Sequence, residues 1–521
     1  MRSRISNPFY PPQYEPPSRY AMTRYIHGFM NGFHPHFPIL HPPTLSIRRM
    51  APELIMAIAA VGSQYCLEQH QGLKLFHVAR AIALERVRAR DSVKEHRYPF
   101  QGPADCFSTP PNSATEYASG MHQSWSSSWD YAPVETIQAL FFLMAMATWG
   151  GRESIAAIQS VLAMLVRRDG LSESISTPPT WEEWARAESS RRTKLISFSF
   201  FNLHSIVLNL PSPLMISDLK LRLPCSELEW KASSSEAWQA INHRSEQPPL
   251  FQDCFVLLFK DSDITPVCSS LGSHVLIHAL LQRILLIKQA TQPESADMEL
   301  APGLSSSLRR ALKKWQNGWE LNSESSLNPL NKHGPIAFNS TALFHLAYIR
   351  LAVDISSARS PFEHDQIQFA MDLNSQPNLR RGSMLTLGAR HAVAALCPPV
   401  QMGVHFVGRA PSWSVMHAVC SLDYAYILNQ FLQAVTAPSL DHPLEGEEQD
   451  VLAVIKETLR EVESSSPLGN PGAIESAPHL LGPKAVKAWA FVLQGMRTWN
   501  AVDFITKTLF IYADLLEKRS F

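Results

Sequence analysis

Residues 180–193 read TWEEWARAESSRRT and continue as KLISFSFFNLHSIVL to Leu208, with Pro211 and Pro213 close behind. Thr180 followed by Glu183 is a capping-box pattern, in which the threonine oxygen and the glutamate each satisfy a backbone donor that a helix start leaves without a partner. The two prolines supply the stop. One helix from Trp181 to about Leu208 is therefore predicted. Trp181, Trp184, Glu188 and Arg191 fall at steps of three or four and share a face. Glu188 can pair there with Arg191 or Arg192 while the tryptophans cover a neighbouring helix. Packing and ion pairing, rather than chemistry, account for these residues.

The same period recurs on both sides of this stretch. Pro52 suits a first helical turn, where its missing N–H costs nothing, and Leu54, Ile55, Ile58 and Val61 follow at helical spacing. Leu75, Phe76, Ala79, Ile82, Ala83 and Val87 repeat the pattern, with QHQG at 69–72 as the stop between the two helices. Segments 134–148 and 154–168 read as an antiparallel pair closed by Gly170. Further helices are predicted at 272–289, 307–319, 340–357, 381–396, 412–434, 450–462 and 484–517. Strand patterns of period two are scarce, so the fold class is all-α: a large multi-helical body with Pro/Ser-rich loops and a C-terminal helical extension.

Composition divides the chain further. A Pro-rich tether is expected over 1–19, a main body over 20–435 with a mobile excursion at about 99–133, acidic and Ser/Pro/Gly-rich linkers with a short helix over 436–483, and a C-terminal helix over 484–521. Among 521 residues the 46 Lys and Arg balance the 46 Asp and Glu, which argues against a polybasic surface that binds nucleic acid throughout. The N-terminus lacks the apolar run of a signal peptide. The greasiest stretch, 137–149, is short of the ~20 residues that span a bilayer, so no membrane partner is expected. None of the seven cysteines forms a Cys-x-x-Cys pair, and a zinc finger needs ligands a few residues apart. An odd, scattered set fits a reducing compartment.

Catalytic motifs are missing: there is no Gly-x-Ser-x-Gly elbow, phosphate loop, Gly-x-Gly-x-x-Gly or His-Glu-x-x-His. The expectation is a non-enzyme with no catalytic residue, cofactor or metal site. His274 and His278 stand four apart on an otherwise apolar helix, and His27, His34, His36 and His41 surround a proline-rich entry. Helix packing and turn hydrogen bonds are favoured over metal for both sets. Arg86, Arg88, Arg90, Lys94 and Arg97, and likewise Arg309, Arg310, Lys313 and Lys314, read as solvated helix faces rather than phosphate contacts or import signals. The acidic run at Glu445, Glu447, Glu448 and Asp450 reads as a solvated linker ahead of an activation tail. Trp125 and Trp129 are candidates for partner contact.

Three stretches carry a resemblance: YIHGFMNGFHPHFPILHPPTL from Tyr25, PELIMAIAAVGSQY from Pro52, and LKLFHVARAIA ending at Ala83. Together they resemble the opening of the fungal-specific transcription factor domain, the helical regulatory region found beside zinc-cluster and two-Cys two-His finger modules. In that family a helix leads into a turn matched here by Phe37, Pro38, Ile39 and His41, and then into an Ala-rich helix ending near Ala60 and Gly62. Trp181, Trp184, Glu188, Arg191 and Arg192 resemble its Trp/Glu/Arg-Arg helix. Leu223, Pro224 and Cys225 with Trp230 and Trp238 resemble later landmarks. LAVDISSARSPFE and ARHAVAALCPPVQMGVHFVGRAPSW look like segments of members paired with two-Cys two-His fingers. The similarity covers about residues 20 to 430.

The resemblance implies a nuclear regulator of transcription, often of a metabolic or secondary-metabolite biosynthetic pathway. Its partners would be transcriptional machinery or another DNA-binding protein, with DNA reached indirectly or through a module missing from this chain. A homo-oligomer is compatible with it. The alternative is a non-DNA-binding helical corepressor or small-molecule sensor.

Overall fold

The computed structural model describes residues 15–97, 133–150, 155–173, 180–242, 247–291, 302–353, 365–408, 413–437, 442–465, 469 and 471–519. The tether up to residue 14, nearly all of the 99–133 excursion, and Trp125 and Trp129 lie outside them. Among the described residues the regular elements are helices, with two isolated bridges, Ser172 to Lys220 and Arg222 to Leu250, and no strand. The fold is all-α. By its internal contacts the chain divides into two compact units, Met1–Phe29 with Ser46–Met146, and Met30–Leu45 with Ala147–Phe521.

In the first unit, Pro52 opens the helix Pro52–Tyr65 as its sequence requires. The break before the next helix, Gln69–Arg97, lies earlier than QHQG. It falls at Leu67, which takes a left-handed φ of 58°, so QHQG itself is the next helix's first turn. The helix Arg19–Gly28 crosses Pro52–Tyr65 backbone to backbone at Gly62, where an added Cβ would lie 1.8 Å from the Tyr25 carbonyl oxygen. Only glycine permits that approach. We expect Gly62→Val to destabilise this unit by about 3 kcal/mol, since over-packing here must move main chain; a thermal midpoint equal to the parent's would contradict the crossing.

Arg86 corrects the reading of the basic run as a solvated face. It is buried and pairs at 3.0 Å with Glu53, which is fully covered. Thr136 donates to Glu53 Oε1 at 2.9 Å, and Arg90 donates to Thr136 at 3.1 Å. A buried charge is tolerable only when paired and hydrogen-bonded, so these arginines serve the interior of the unit. Arg88 keeps the expected exposure, beside Glu85; the side chains of Lys94 and Arg97 lie outside the described residues.

The second unit is an array of long helices in which sequence neighbours often pack side by side. Trp181–Leu208 lies against Ser270–Thr291, which lies against Ile336–Ala352; Ser383–Met402, Val415–Thr436, Leu481–Leu493 and Asn500–Arg519 follow in turn. The helix within Ser270–Ala290 is long and apolar enough to cross a membrane, but it is mostly buried in the protein. Polar links cross the array: Gln282 donates to Asn202 at 2.6 Å, Arg350 pairs with Asp423 at 3.1 Å, and Asn429 donates to Tyr512 at 3.0 Å.

Two expectations for the C-terminal part change. The predicted single helix over 484–517 is two, because Gly495 turns the chain at φ 103° and Trp499 is buried in the connection. The acidic run begins a helix instead of a linker or tail, with Glu448 buried while Glu445, Glu447 and Asp450 stay exposed as expected. Gly446–Ser464 is an amphipathic helix that buries Val451, Ile455, Leu459 and Val462. Arg381 donates to both carboxylate oxygens of Glu448, and Arg390 pairs with Glu447 at 3.2 Å. The second basic run behaves likewise in part: Lys314 donates to the carbonyl of Lys260 at 2.6 Å, closing the end of the helix Phe251–Phe259.

Candidate functional site

Thr180 caps the helix Trp181–Leu208, its Oγ1 accepting from the Glu183 amide at 3.3 Å. The first turns carry Trp181 and Trp184, and the next two carry Glu188 and Arg192, both with no exposed surface. Helical spacing puts these four on one face. Against it lies the segment from Leu223 through Trp238. The buried Leu223 and Pro224 bring in the Cys225 backbone, and the short helices Glu227–Trp230 and Ser235–Asn242 present their tryptophans. Trp184 sits 6.3 Å from Trp230 and 5.3 Å from Trp238, ring centre to ring centre. His41, from the turn after Phe37 and Pro38, lies 4.7 Å from the Trp230 ring and edge-on to Trp181 and Trp184.

The charges at the centre are paired. Glu188 Oε1 accepts from Arg192 Nε at 2.9 Å and from the Cys225 amide at 3.0 Å, while Oε2 accepts from Arg191. Arg192 also donates to the Cys225 carbonyl at 3.2 Å, stands 3.8 Å from Glu227, and lays its guanidinium 4.0 Å from the Trp230 ring centre. That stacking is the cation–π geometry in which a desolvated arginine gains most. Arg191 reaches the other way, making a two-pronged pair with Glu173 at 2.6 and 3.0 Å.

Burial alone would raise the Glu188 carboxyl, but Arg191, Arg192 and the Cys225 amide outweigh it and hold the group below the usual carboxylate range. Neighbouring Glu229 goes the other way: burial first, then the Glu188 charge, pushes it up to about 7. Burial raises the Cys225 thiol far above its ordinary value, the opposite of what a nucleophilic cysteine needs. Glu188, Arg192 and Cys225 are all covered and bond one another.

Of the residues singled out from sequence, His41, Trp181, Trp184, Glu188, Arg191, Arg192, Cys225, Trp230 and Trp238 meet in this one cluster, and Leu223 and Pro224 are buried just ahead of Cys225. Phe37 and Pro38 stand beside it. Phe37 stacks on Phe33 at 4.9 Å and meets Phe200 edge-on at 5.8 Å, while Ser189 donates to the Ile39 carbonyl, fastening the turn to the tryptophan helix. Glu173 and Glu227 were not anticipated. Glu227 had a legible signal, because Ser226 and Glu229 form a Ser-x-x-Glu helix start, and Ser226 Oγ does accept from the Glu229 amide at 3.2 Å.

Of the four entry histidines His27 is exposed, while His34, His36 and His41 are buried and hydrogen-bonded. His34 donates to the Leu40 carbonyl at 2.9 Å, His41 Nδ1 shares a proton with Thr44 at 2.8 Å, and His36 meets Asn339 at 3.0 Å. His274 bonds Ser340 at 3.0 Å and meets His278 ring edge to face at 4.8 Å. Both line a narrow cavity with His36, Phe37 and Met416 that has room for about one water. Among the described residues, no group of three or more His, Cys, Asp or Glu is placed to hold a metal.

With this geometry in place, the comparisons with known proteins are specific. The family model described as the fungal specific transcription factor domain matches residues 26–317, and that described as the fungal transcription factor C-terminal domain matches 354–511. The second match takes in the acidic helix and the region expected to be linkers. Two zinc finger proteins of Schizosaccharomyces pombe are similar. Klf1 is 22% identical over 274 residues, 50% of this chain and 31% of its own length. Zas1 is 22% identical over 283 residues, 52% of this chain and 28% of its own. The chain thus spans about a third of the length of these relatives. No solved structure matches it. A match over more than half the chain, carried by a segment whose tryptophans, glutamate and paired arginines form one buried cluster, places the protein: it belongs to the fungal specific transcription factor domain family.

Proposed function

We propose that this chain is the regulatory body of a nuclear transcription regulator that controls genes of a metabolic or secondary-metabolite pathway without catalysing a reaction. The observation that carries this reading is the family match over 26–317. The covered tryptophan–arginine cluster supports it, because Glu188 and Arg192 are buried and paired with each other. The names of the two relatives supply the DNA side: both are zinc finger proteins. No cysteine pair at zinc-finger spacing occurs in these 521 residues, so DNA contact is assigned to a partner or to a module outside them. Transcriptional machinery and another DNA-binding protein are the partners this implies.

The test is transcript profiling of a strain lacking the gene, with chromatin occupancy of the tagged protein. A coordinated change in a set of pathway genes is expected, with occupancy near them. An unchanged transcriptome under inducing conditions would count against regulation.

A further inference from the structure

Residues 379–383 read Leu-Arg-Arg-Gly-Ser, and they run as non-helical chain until Ser383 begins the helix Ser383–Met402. Arg380, Gly382 and Ser383 are exposed. A Cβ placed on Gly382 would meet nothing within 4 Å, so the chain beside the serine faces open space. Arg380 and Arg381 stand three and two residues before the serine hydroxyl, with Arg380 exposed. Protein kinases with acidic substrate grooves select such a pattern by charge complementarity. Gly382 gives no side-chain cap to the helix that follows, and the amides of a first turn have no intrahelical partner. The Gly382 carbonyl accepts from both the amide and the hydroxyl of Thr386 at 3.1 Å, so a kinase that reads the segment as extended chain must open this first turn.

Arg381 is already committed. It donates to Glu448 Oε1 at 2.8 Å and to Oε2, to the His442 carbonyl at 2.9 Å and to the Pro443 carbonyl at 2.8 Å. One side chain thus pins the entry of the acidic helix Gly446–Ser464. We propose that Ser383 is a phosphorylation site for an arginine-directed serine/threonine kinase, and that its phosphate draws Arg381 away from Glu448 and frees the segment 442–448. Ser383 Oγ attacks the γ-phosphorus of magnesium-bound ATP. The new O–P bond forms as the bond to the β,γ-bridging oxygen breaks, ADP leaves, and the hydroxyl proton passes to the kinase's catalytic carboxylate. The product carries about −2 charge at pH 7 with three acceptor oxygens, against one negative charge on Glu448, and it stands two residues from the arginine.

The experiment treats the purified full chain with magnesium-ATP and the catalytic subunit of cyclic-AMP-dependent protein kinase. Modified sites are read by mass spectrometry, and amide hydrogen exchange is measured over 442–448. Phosphate is expected at Ser383 in the folded chain. It is abolished at that position by Ser383→Ala, and the initial rate falls about tenfold or more in Arg380→Gln. Exchange over 442–448 quickens after treatment of the parent chain but not of Ser383→Ala. Modification of Ser383 only after heat denaturation overturns the assignment by showing the site closed, and no modification in either state overturns it by showing the motif unread. Phosphorylation with unchanged exchange at 442–448 overturns the transfer of Arg381.

Discussion

Acidification from pH 7 to about 5 is expected to unfold the larger unit, with the far-UV helical signal and tryptophan emission changing together. His34, His41, His204, His274, His278 and His417 are all buried. Burial is the largest cause of the shift in each and lowers the imidazole from 6.5 to about 4 in His34, His41 and His274, to about 3 in His204 and His417, and well below 6.5 in His278. Folded values below the unfolded one mean that the unfolded chain binds protons the folded chain refuses. Stability is therefore intact above about pH 6.5 and falls as the pH drops toward 4.

Each fully shifted group contributes about 1.4 kcal/mol per pH unit in that window, so six contribute about 8. Glu229 opposes them, because its raised value keeps a proton in the folded state between about pH 4.5 and 7. It cancels one of the six. Even at half the remaining slope, the loss between pH 6.5 and 5 is about 5 kcal/mol, which is comparable with the whole stability of many domains. Acid titration by circular dichroism checks this. A midpoint near pH 5 is predicted, while a native spectrum down to pH 4 would show that the imidazoles are not held neutral.

Glu188→Ala is the other large effect. Without that carboxylate, Arg192 remains fully buried with Glu227 only at 3.8 Å, and the Cys225 amide loses its acceptor. Breaking one side of a buried ion pair costs about 3–5 kcal/mol, because it leaves the other charge uncompensated. Removing both charges together is a different matter. Glu188→Gln with Arg192→Met keeps an acceptor for Cys225 and leaves no unpaired ion, so its cost should be about 1.5 kcal/mol or less. Urea unfolding of the two proteins separates the cases: equal stabilities would mean that the buried pair does not organise the cluster.

The helices were legible wherever local chemistry decided them. Thr180 marks the start of the tryptophan helix and Pro211 its limit, and the observed ends, Trp181 and Leu208, follow. The Glu183 amide is capped by Thr180, although the reciprocal glutamate contact of a full capping box is not what holds this start. The face shared by Trp184, Glu188 and Arg192 was also legible, since it needs only the helical period. What escaped depends on partners far away in sequence. Nothing near Arg86 tells that Glu53 lies opposite, so its basic helix looked solvated. Glu227 and the Trp230 ring reach Arg192 only after the chain has turned at Pro211 and run back. The helix over 450–462 was legible in its period, but the acidic run that starts it read as linker, because Arg381 and Arg390, which pair with Glu448 and Glu447, lie more than fifty residues earlier.

On the function proposed above, the Glu188–Arg192–tryptophan cluster serves to hold the regulatory body together. The most direct test of that role is the transcript profile of the deletion strain complemented with the Glu188→Gln, Arg192→Met chain, after that chain has been shown to fold. A profile restored to the parent's is predicted, because packing survives the exchange. A folded double variant that leaves the target genes as they are in the deletion strain would contradict it.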